Sequence, residues 1–429
     1  MKTILATAYA INPYKGSEDG TGWNYACQIA RYNRLIIVTR KNNQQDIEKY
    51  QLAHPENQEL YSRIQFLYFD WPQWTLFWKK GPLLSMIYYY CWQLHLAFWL
   101  KSKKLDFDIC HNLNFHSDWA PSFLWILNKP FVWGPVGHHS KIKRSYLLPI
   151  YGWKELIKDR FLWLLKLAFW YLDPFLYIAK YKADKIICIN SEVPRKMRVK
   201  GKKVFNMPTV ASEKNDNTPS IQTGFTVLSV GRFVPLKGFD LTIQAFASFY
   251  KSLPADLQDT TKLVLIGNGP NIETLRKLVS INNIENSVSI IPWMPRAEVI
   301  ENYRNASVFL FPSHEGAGMV VPEALSYGLP VVCLDNEGPG ELIPKESTLR
   351  ASYSNYESTI SSLARRLIRL QADPIFYQRE REKAIQHFNE SLCWDVKGDR
   401  LAGLYDEVIE MRRATEIDPT FLKGLNSVQ

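Results

Sequence analysis

Short apolar strand segments alternate with helix-length amphipathic segments twice along this chain, and a polar stretch separates the two runs. In the C-terminal run, strand patterns at residues 225–230, 262–266, 288–291, 307–311 and 330–334 enclose helical patterns at 240–250, 272–279, 297–305 and 322–327. Strands this short joined by helices need crossover connections, so they imply βαβ units and a parallel sheet. The N-terminal run reads the same way, with strands at 4–9, 35–39, 64–69, 107–110, 130–133, 185–189 and 203–205. Helical patterns lie there at 23–32, 83–100 and around 121–127. Residues 208–224 carry Ser, Asn, Thr and Pro and read as a linker. The expected fold class is α/β, with two doubly wound, Rossmann-like domains at 1–207 and 225–390 facing a central cleft. Such sheets bind ligands at the carboxyl ends of their strands, which puts the expected site in that cleft. Residues 391–429 form a charged helical segment able to cross back to the N-terminal domain.

A chain of 429 residues exceeds one ordinary core, in keeping with two domains. The net charge of +10 favours anionic partners: nucleic acid, an acidic membrane surface or a phosphorylated substrate. Zinc-finger spacing, an RNP-like strand and a long basic tail are all missing from the sequence, so nucleic acid is not expected. The six cysteines are scattered without a CxxC pair, mostly in apolar runs, and read as buried reduced thiols of a cytosolic protein. The apolar start is too short for a signal-peptide core and reads as a first buried strand.

The most informative segment follows the strand at 307–311. It runs Glu315-Gly316-Ala317-Gly318-Met319-Val320-Val321-Pro322-Glu323 and passes from a loop into a helix that starts near Pro322. Its glycines let backbone N–H groups approach a ligand closely, and a helix terminus attracts anions. Two carboxylates in different parts of such a loop suit sugar and ribose hydroxyls, which need strong acceptors. A purely structural alternative has Glu323 complementing the helix dipole and Glu315 solvated.

This Glu-x7-Glu pattern resembles the donor-site motif of the retaining family-4 glycosyltransferases of the GT-B fold. The resemblance extends through residues 328–341 and through 229–238, where a strand is followed by Arg232 and Lys237. It implies that Arg232 and Lys237 contact the diphosphate of a nucleotide-sugar donor and that Glu323 holds the ribose. Glu315 and the backbone of Gly316, Ala317, Gly318, Met319 and Val320 would meet the transferred sugar. Ala317 departs from the Phe that many members carry. Gly267 and Asn268, in the run 265–270, resemble the family loop near the base.

In the first half, the loop at residues 16–24 resembles that of a bacterial polysaccharide and lipopolysaccharide branch, with Gly20 and Gly22 bringing backbone against the diphosphate. Residues 133–137 resemble it too, although His138 and His139 replace glycines there. Members often place a histidine after the strand at 107–110; His116 is preferred to His111 because it lies further from the strand end. A loop-bonded structural histidine is the alternative. Asp106 and Asp108 have DxD spacing but precede a strand and read as structural, so no metal site is expected.

Aromatic residues crowd residues 71–100 and 141–182, together with basic ones. Helices lying in a membrane interface and helices packed on the first sheet both account for this. The resemblance implies a metal-independent, retaining hexosyltransferase that needs no cofactor. It would move sugar from a UDP- or GDP-sugar to a glycan or lipid-linked acceptor in cell-surface polysaccharide synthesis. Its expected location is cytoplasmic, with a peripheral place on the inner face of the plasma membrane as the alternative. The rival readings are a nucleotide-sugar epimerase and a non-catalytic peripheral membrane protein that binds nucleotide sugar.

Overall fold

The structure is a computed structural model and describes residues 1–113, 117–215 and 224–417. The chain divides into two compact units. The first comprises Met1–His138, Lys166–Thr209 and the described residues from Trp394 on; the second comprises His139–Leu165 and Val210–Cys393.

The first unit is built on seven parallel strands: β1 (Thr3–Thr7), β2 (Arg34–Thr39), β3 (Ile64–Tyr68), β4 (Ile109–Asn112), β5 (Phe131–Val136), β6 (Lys185–Cys188) and β7 (Val204–Asn206). Their order is β3-β2-β1-β4-β5-β6-β7. Near-continuous apolar runs make these strands, as expected for a sheet buried on both faces. Ile4, Leu5 and Ala6 of β1 are fully buried, and Asp108 accepts the Thr3 backbone N–H at 2.8 Å, tying the start of β4 to β1. That carboxylate is structural.

Helix α1 (Ser17–Tyr32) packs in this unit against α10 (Trp394–Ile417). Gly398 permits the approach, since a Cβ there would sit 2.5 Å from the Gln28 side chain. Arg31 pairs with Asp395, Tyr32 with Asp399, and Lys185 with Glu407. The helical pattern around 121–127 gives only a short 3-10 turn, Leu124–Leu127. The apolar helix α2 (Gly81–Ser102) buries Tyr88, Trp92 and Leu96 along one stripe, while Leu83, Ile87 and Phe98 stay exposed. Among the described residues no single helix is long and apolar enough to cross a membrane; Arg144–Leu172 and Pro174–Lys182 reach that criterion only as a bent pair.

The second unit contains β8 (Phe225–Val230), β9 (Thr261–Ile266), β10 (Val288–Ile291), β11 (Val308–Phe311), β12 (Val331–Leu334) and β13 (Arg350–Ala351). All are parallel, in the order β10-β9-β8-β11-β12-β13. Helices α4 (Phe239–Lys251), α5 (Ile272–Ile281), α6 (Arg296–Asn305), α7 (Val320–Ser326), α8 (Tyr356–Ala372) and α9 (Pro374–His387) connect and follow these strands. The chain winds outward from β8 to β10, then resumes beside β8 with β11. That reversal makes β8 and β11 the switch point where ligands of doubly wound sheets bind.

The sequence division at 207 needs one correction. Residues 139–165 lie within the stretch 1–207 yet belong to the second unit, held by side chains that no periodicity reveals. Tyr146 Oη lies 2.7 Å from Thr359 Oγ1, Lys143 Nζ donates to the Tyr353 carbonyl, and Tyr151 Oη donates to Asp240 at 2.9 Å. Helix α3 (Arg144–Leu172) is broken at Gly152, whose φ of 72° leaves the helical region. The linker stretch is also partly packed: Thr209, Val210 and Ala211 are buried and Ser212 bridges to Cys393.

Candidate functional site

Two loops leave the carboxyl ends of β8 and β11, and they are fastened to each other. The β8 loop runs through Gly231 to a 3-10 turn, Pro235–Lys237, which ends at Gly238 in the left-handed region, φ 68°. A Cβ at Gly238 would lie 2.1 Å from the Pro312 carbonyl oxygen, so only glycine allows the loops to approach this closely. His314 N–H then donates to the Leu236 carbonyl at 2.8 Å, and Ser313 Oγ donates to the same carbonyl. This seam sets Lys237 against Glu315, Nζ to Oε1 at 2.6 Å. Lys237 also lies over the Phe311 ring, 5.2 Å from its centre.

The Lys237–Glu315 pair is largely withdrawn from water, with side-chain exposures of 19% and 12%. Burial pushes the Glu315 carboxyl above its ordinary value, and the Lys237 ammonium opposes that shift. Glu315 Oε1 lies 3.6 Å from where a Gly318 Cβ would stand, while Gly338 backs the loop so closely that its Cβ would meet the Glu315 carbonyl at 1.7 Å. Asn336 holds the loop from below, donating to the Ser313 carbonyl and accepting from Gly338 and Gly340 N–H.

Arg232 sits on the other limb of the β8 loop. Gly231 N–H donates to the Ile266 carbonyl, Phe233 N–H to the Asn268 carbonyl, and Asn271 N–H to the Phe233 carbonyl. Gly267 is required at that seam, because its φ is 150° and a Cβ would strike the Gly231 carbonyl. The buried Phe233 anchors the loop and leaves Arg232 exposed. Among the described residues no carboxylate pairs with Arg232. Thus Arg232, Gly267 and Asn268 share one seam, and Lys237, Glu315, Gly316 and Gly318 share the adjoining one.

Glu323 lies on α7, which starts at Val320 rather than near Pro322. Arg296 grips its carboxylate with both terminal nitrogens, at 2.8 and 3.2 Å, and the buried Tyr303 hydroxyl donates to it at 3.1 Å. The Arg296 side chain is 60% exposed, whereas that of Glu323 is 19% exposed. Neither Arg296 nor Tyr303 carried a sequence signal, since each is simply one polar position on α6. His139, marked in the sequence only as a departure from glycine, is a further partner. Its Nδ1 accepts the Gly316 N–H at 2.8 Å, one of the backbone donors that the resemblance gives to the sugar.

The first unit departs from expectation at Gly20 and Gly22. Both lie inside α1, the fourth and sixth residues of Ser17–Tyr32, rather than on a turn. Gly20 N–H points back to the Gly16 carbonyl, and the position is glycine because a Cβ would approach the Lys15 carbonyl to 2.4 Å. Gly22, beyond the first four residues of the helix, has its N–H in the helical ladder.

His111 is a strand residue with both ring nitrogens engaged: Nε2 at 2.6 Å from the Gly134 carbonyl and Nδ1 at 2.7 Å from Tyr405 Oη. Since a carbonyl only accepts, Nε2 carries the proton and Tyr405 donates. Burial lowers the His111 pKa to about 4, so this is a neutral structural histidine. His116 lies outside the described residues. A buried pair, His138 Nδ1 to Asp118 Oδ2 at 2.6 Å, lies against Trp170. Among the described residues no group of three His, Cys, Asp or Glu side chains is placed to hold a metal ion.

Residues 211–387 match the family described as Glycosyl transferases group 1. Over 193 residues the chain is 28% identical to an uncharacterized glycosyltransferase of Haemophilus influenzae, covering 44% of this chain and 52% of that protein. Over 116 residues it is 39% identical to the D-inositol 3-phosphate glycosyltransferase of Acidothermus cellulolyticus, covering 25% of each. The chain thus matches about half or less of these relatives' length. Among solved structures, sucrose-phosphate synthase of Thermosynechococcus elongatus aligns over 96% of this chain and all of that one, with a TM-score of 0.63 at 15% identity. A glycosyltransferase of Rickettsia africae aligns over 95% and 98% with a TM-score of 0.60 at 14% identity. Anabaena HepE in complex with UDP aligns over 95% and 100% with a TM-score of 0.61 at 14% identity. These likenesses show the two-domain, Rossmann-like GT-B fold.

Proposed function

We propose that this chain is a glycosyltransferase that takes a hexose from a nucleoside-diphosphate sugar, with retention of configuration, and passes it to a glycan or lipid-linked acceptor of the cell surface. The observation that carries the reading is the nearly dry Lys237–Glu315 pair at the β8/β11 switch point, beside the exposed Arg232. A cationic pair there suits a pyrophosphate, and carboxylates nearby suit hydroxyls. The group 1 match over residues 211–387 and the UDP in the HepE structure support the same donor class.

In this mechanism the bond between the sugar's anomeric carbon and the diphosphate oxygen lengthens first. Arg232 and Lys237 stabilise the charge that develops on the leaving diphosphate, an effect strongest where water is excluded. The acceptor oxygen then bonds to the anomeric carbon, and its proton leaves with a phosphate oxygen. The two cations take the charge-neutralising role that a divalent ion otherwise fills, so transfer is expected to persist in chelator. Glu323 exchanges Arg296 for ribose hydroxyls.

The aromatic helices extend the reading to a membrane surface. Trp153, Ile157, Phe161 and Leu164 recur at i, i+4, i+8 and i+11 on α3 and are all more than half exposed. An apolar stripe facing water, bordered by the exposed Lys154 and Lys158, fits an anionic lipid interface. The test is a screen of labelled UDP- and GDP-sugars, with and without acceptor lipid extract, using wild type and Lys237→Ala. Lys237-dependent release of nucleoside diphosphate supports the proposal; conversion of donor to an isomeric sugar nucleotide without acceptor makes the protein an epimerase instead.

A further inference from the structure

A second cationic feature lies outside the donor loops, on helix α8. Arg365, Arg366 and Arg369 line one cleft of about 450 Å³ together with Thr348, Ser352 and Ser362. Several arginines elsewhere in this chain meet carboxylates, among them Arg31 with Asp395, Arg63 with Glu59, Arg276 with Glu273 and Arg304 with Glu301. Among the described residues none of the three cleft arginines has such a partner. Asp335 is close enough for Arg366 to feel its charge, yet forms no ion pair with it.

Two of the three guanidinium groups are nonetheless held in place. Arg366 donates from Nε to the Arg350 carbonyl at 2.7 Å and from Nη1 to Ser362 at 2.8 Å, and among the described residues its Nη2 has no hydrogen-bond partner. The Arg369 guanidinium lies 3.8 Å from the centre of the Phe376 ring, a contact that fixes it without spending its N–H donors. Arg365 repels Arg366, and that repulsion adds to burial in lowering the Arg366 pKa. Three positive groups at one cleft, with donors unspent and hydroxyls at the rim, offer an anion several donors at once. Planar guanidinium forks match phosphate oxygens in particular.

We propose that this cleft is a binding site for a phosphoryl group, separate from the donor loops. The phosphoryl group belongs either to a small phosphate ester in solution or to the headgroup of an anionic lipid. The two sources share the chemistry and differ in the experiment.

The full chain would be titrated with inorganic phosphate by calorimetry and, in parallel, sedimented with phosphatidic acid vesicles and with neutral phosphatidylcholine vesicles. Three proteins are compared: wild type, the charge-matched control Arg276→Gln with Arg379→Gln, and the double variant Arg365→Gln with Arg369→Gln. Both arginines are exposed, so their replacement spares the core; Arg365→Gln alone serves as the second, milder variant. The expected result is binding at least tenfold weaker in the cleft variant and unchanged in the charge-matched control. Arginine-dependent phosphate heat assigns a soluble ester, and arginine-dependent sedimentation confined to phosphatidic acid assigns the headgroup. Binding that survives the cleft substitutions in both arms, no binding in either arm, or an equal loss in the charge-matched control overturns the proposal.

Discussion

Replacing Lys237 by methionine removes one charge while keeping most of the side chain's volume, and two separate consequences follow. The first is structural. Glu315 is 12% exposed and its carboxyl is already pushed up by burial, so losing an ammonium 2.6 Å away leaves a nearly buried carboxylate without its counter-ion. Breaking a buried pair on one side costs about 3–5 kcal/mol, and the residual exposure here puts the expected loss near the lower end, about 3 kcal/mol. The second is catalytic. A single preorganised group aimed at developing charge contributes about 10²–10³ in kcat, so turnover should fall by about that factor.

The two effects separate in a cycle with Glu315→Gln. Combining the substitutions removes both charges, and a neutral glutamine beside methionine no longer strands a buried anion, so the thermal midpoint should recover most of what Lys237→Met loses. Transfer should not recover, since nothing then replaces the cation at the diphosphate. The assay is release of nucleoside diphosphate with acceptor present, read beside thermal unfolding of the same preparations. If turnover returns together with stability in the double variant, Lys237 acts only by holding the Glu315 loop, and the electrostatic reasoning is refuted. Wild-type turnover in Lys237→Met would refute it sooner.

Four further outcomes are expected. Glu323→Gln keeps the shape but gives up a charged acceptor worth about 1.5–3 kcal/mol, so the donor KM should rise roughly tenfold or more while the KM for acceptor stays put. Gly338→Ala forces a methyl against the Glu315 carbonyl and should raise donor KM about tenfold through displacement of the loop, measurable in the same assay. Asp240 is buried with its carboxyl raised from 3.8 to about 6, chiefly by burial, so the folded state holds its proton more tightly than the unfolded chain does. Stability from this group therefore grows as pH falls from about 6 to about 4 and is lost as pH rises again, by about 3 kcal/mol in all; Asp240→Asn should flatten that part of the thermal-midpoint profile, and an unchanged profile would contradict it. Trp153→Asp with Phe161→Asp should weaken binding to anionic vesicles roughly a hundredfold or more, given about 1.5–3 kcal/mol for each buried apolar side chain, and leave donor hydrolysis intact.

The alternation of strands and helices was legible because a parallel sheet imposes it directly: each strand must be apolar on both faces, and each crossover helix must show one apolar stripe. β13 escaped because two residues, Arg350 and Ala351, carry no period at all. The donor loops were legible for a related reason. Gly238, Gly267 and Gly338 stand where carbonyls approach too closely for any Cβ, so the sequence records the geometry as glycine. Gly20 shows the limit of that inference, for the same pressure comes from the Lys15 carbonyl in the turn just ahead of α1, and glycine alone does not say which kind of approach requires it. What remained hidden were contacts made by unremarkable residues at long range. Arg296 and Tyr303 reach Glu323 from another helix, His139 reaches Gly316 from far along the chain, and Tyr146 and Tyr151 carry a segment of the first half onto the second unit. Each depends on tertiary placement, and single positions of Arg, Tyr or His have too many ordinary uses to announce it. The Lys237–Glu315 pair lies between these cases: a glycine seam fixes its two loops, and the short span of each loop then leaves the charges little choice of partner.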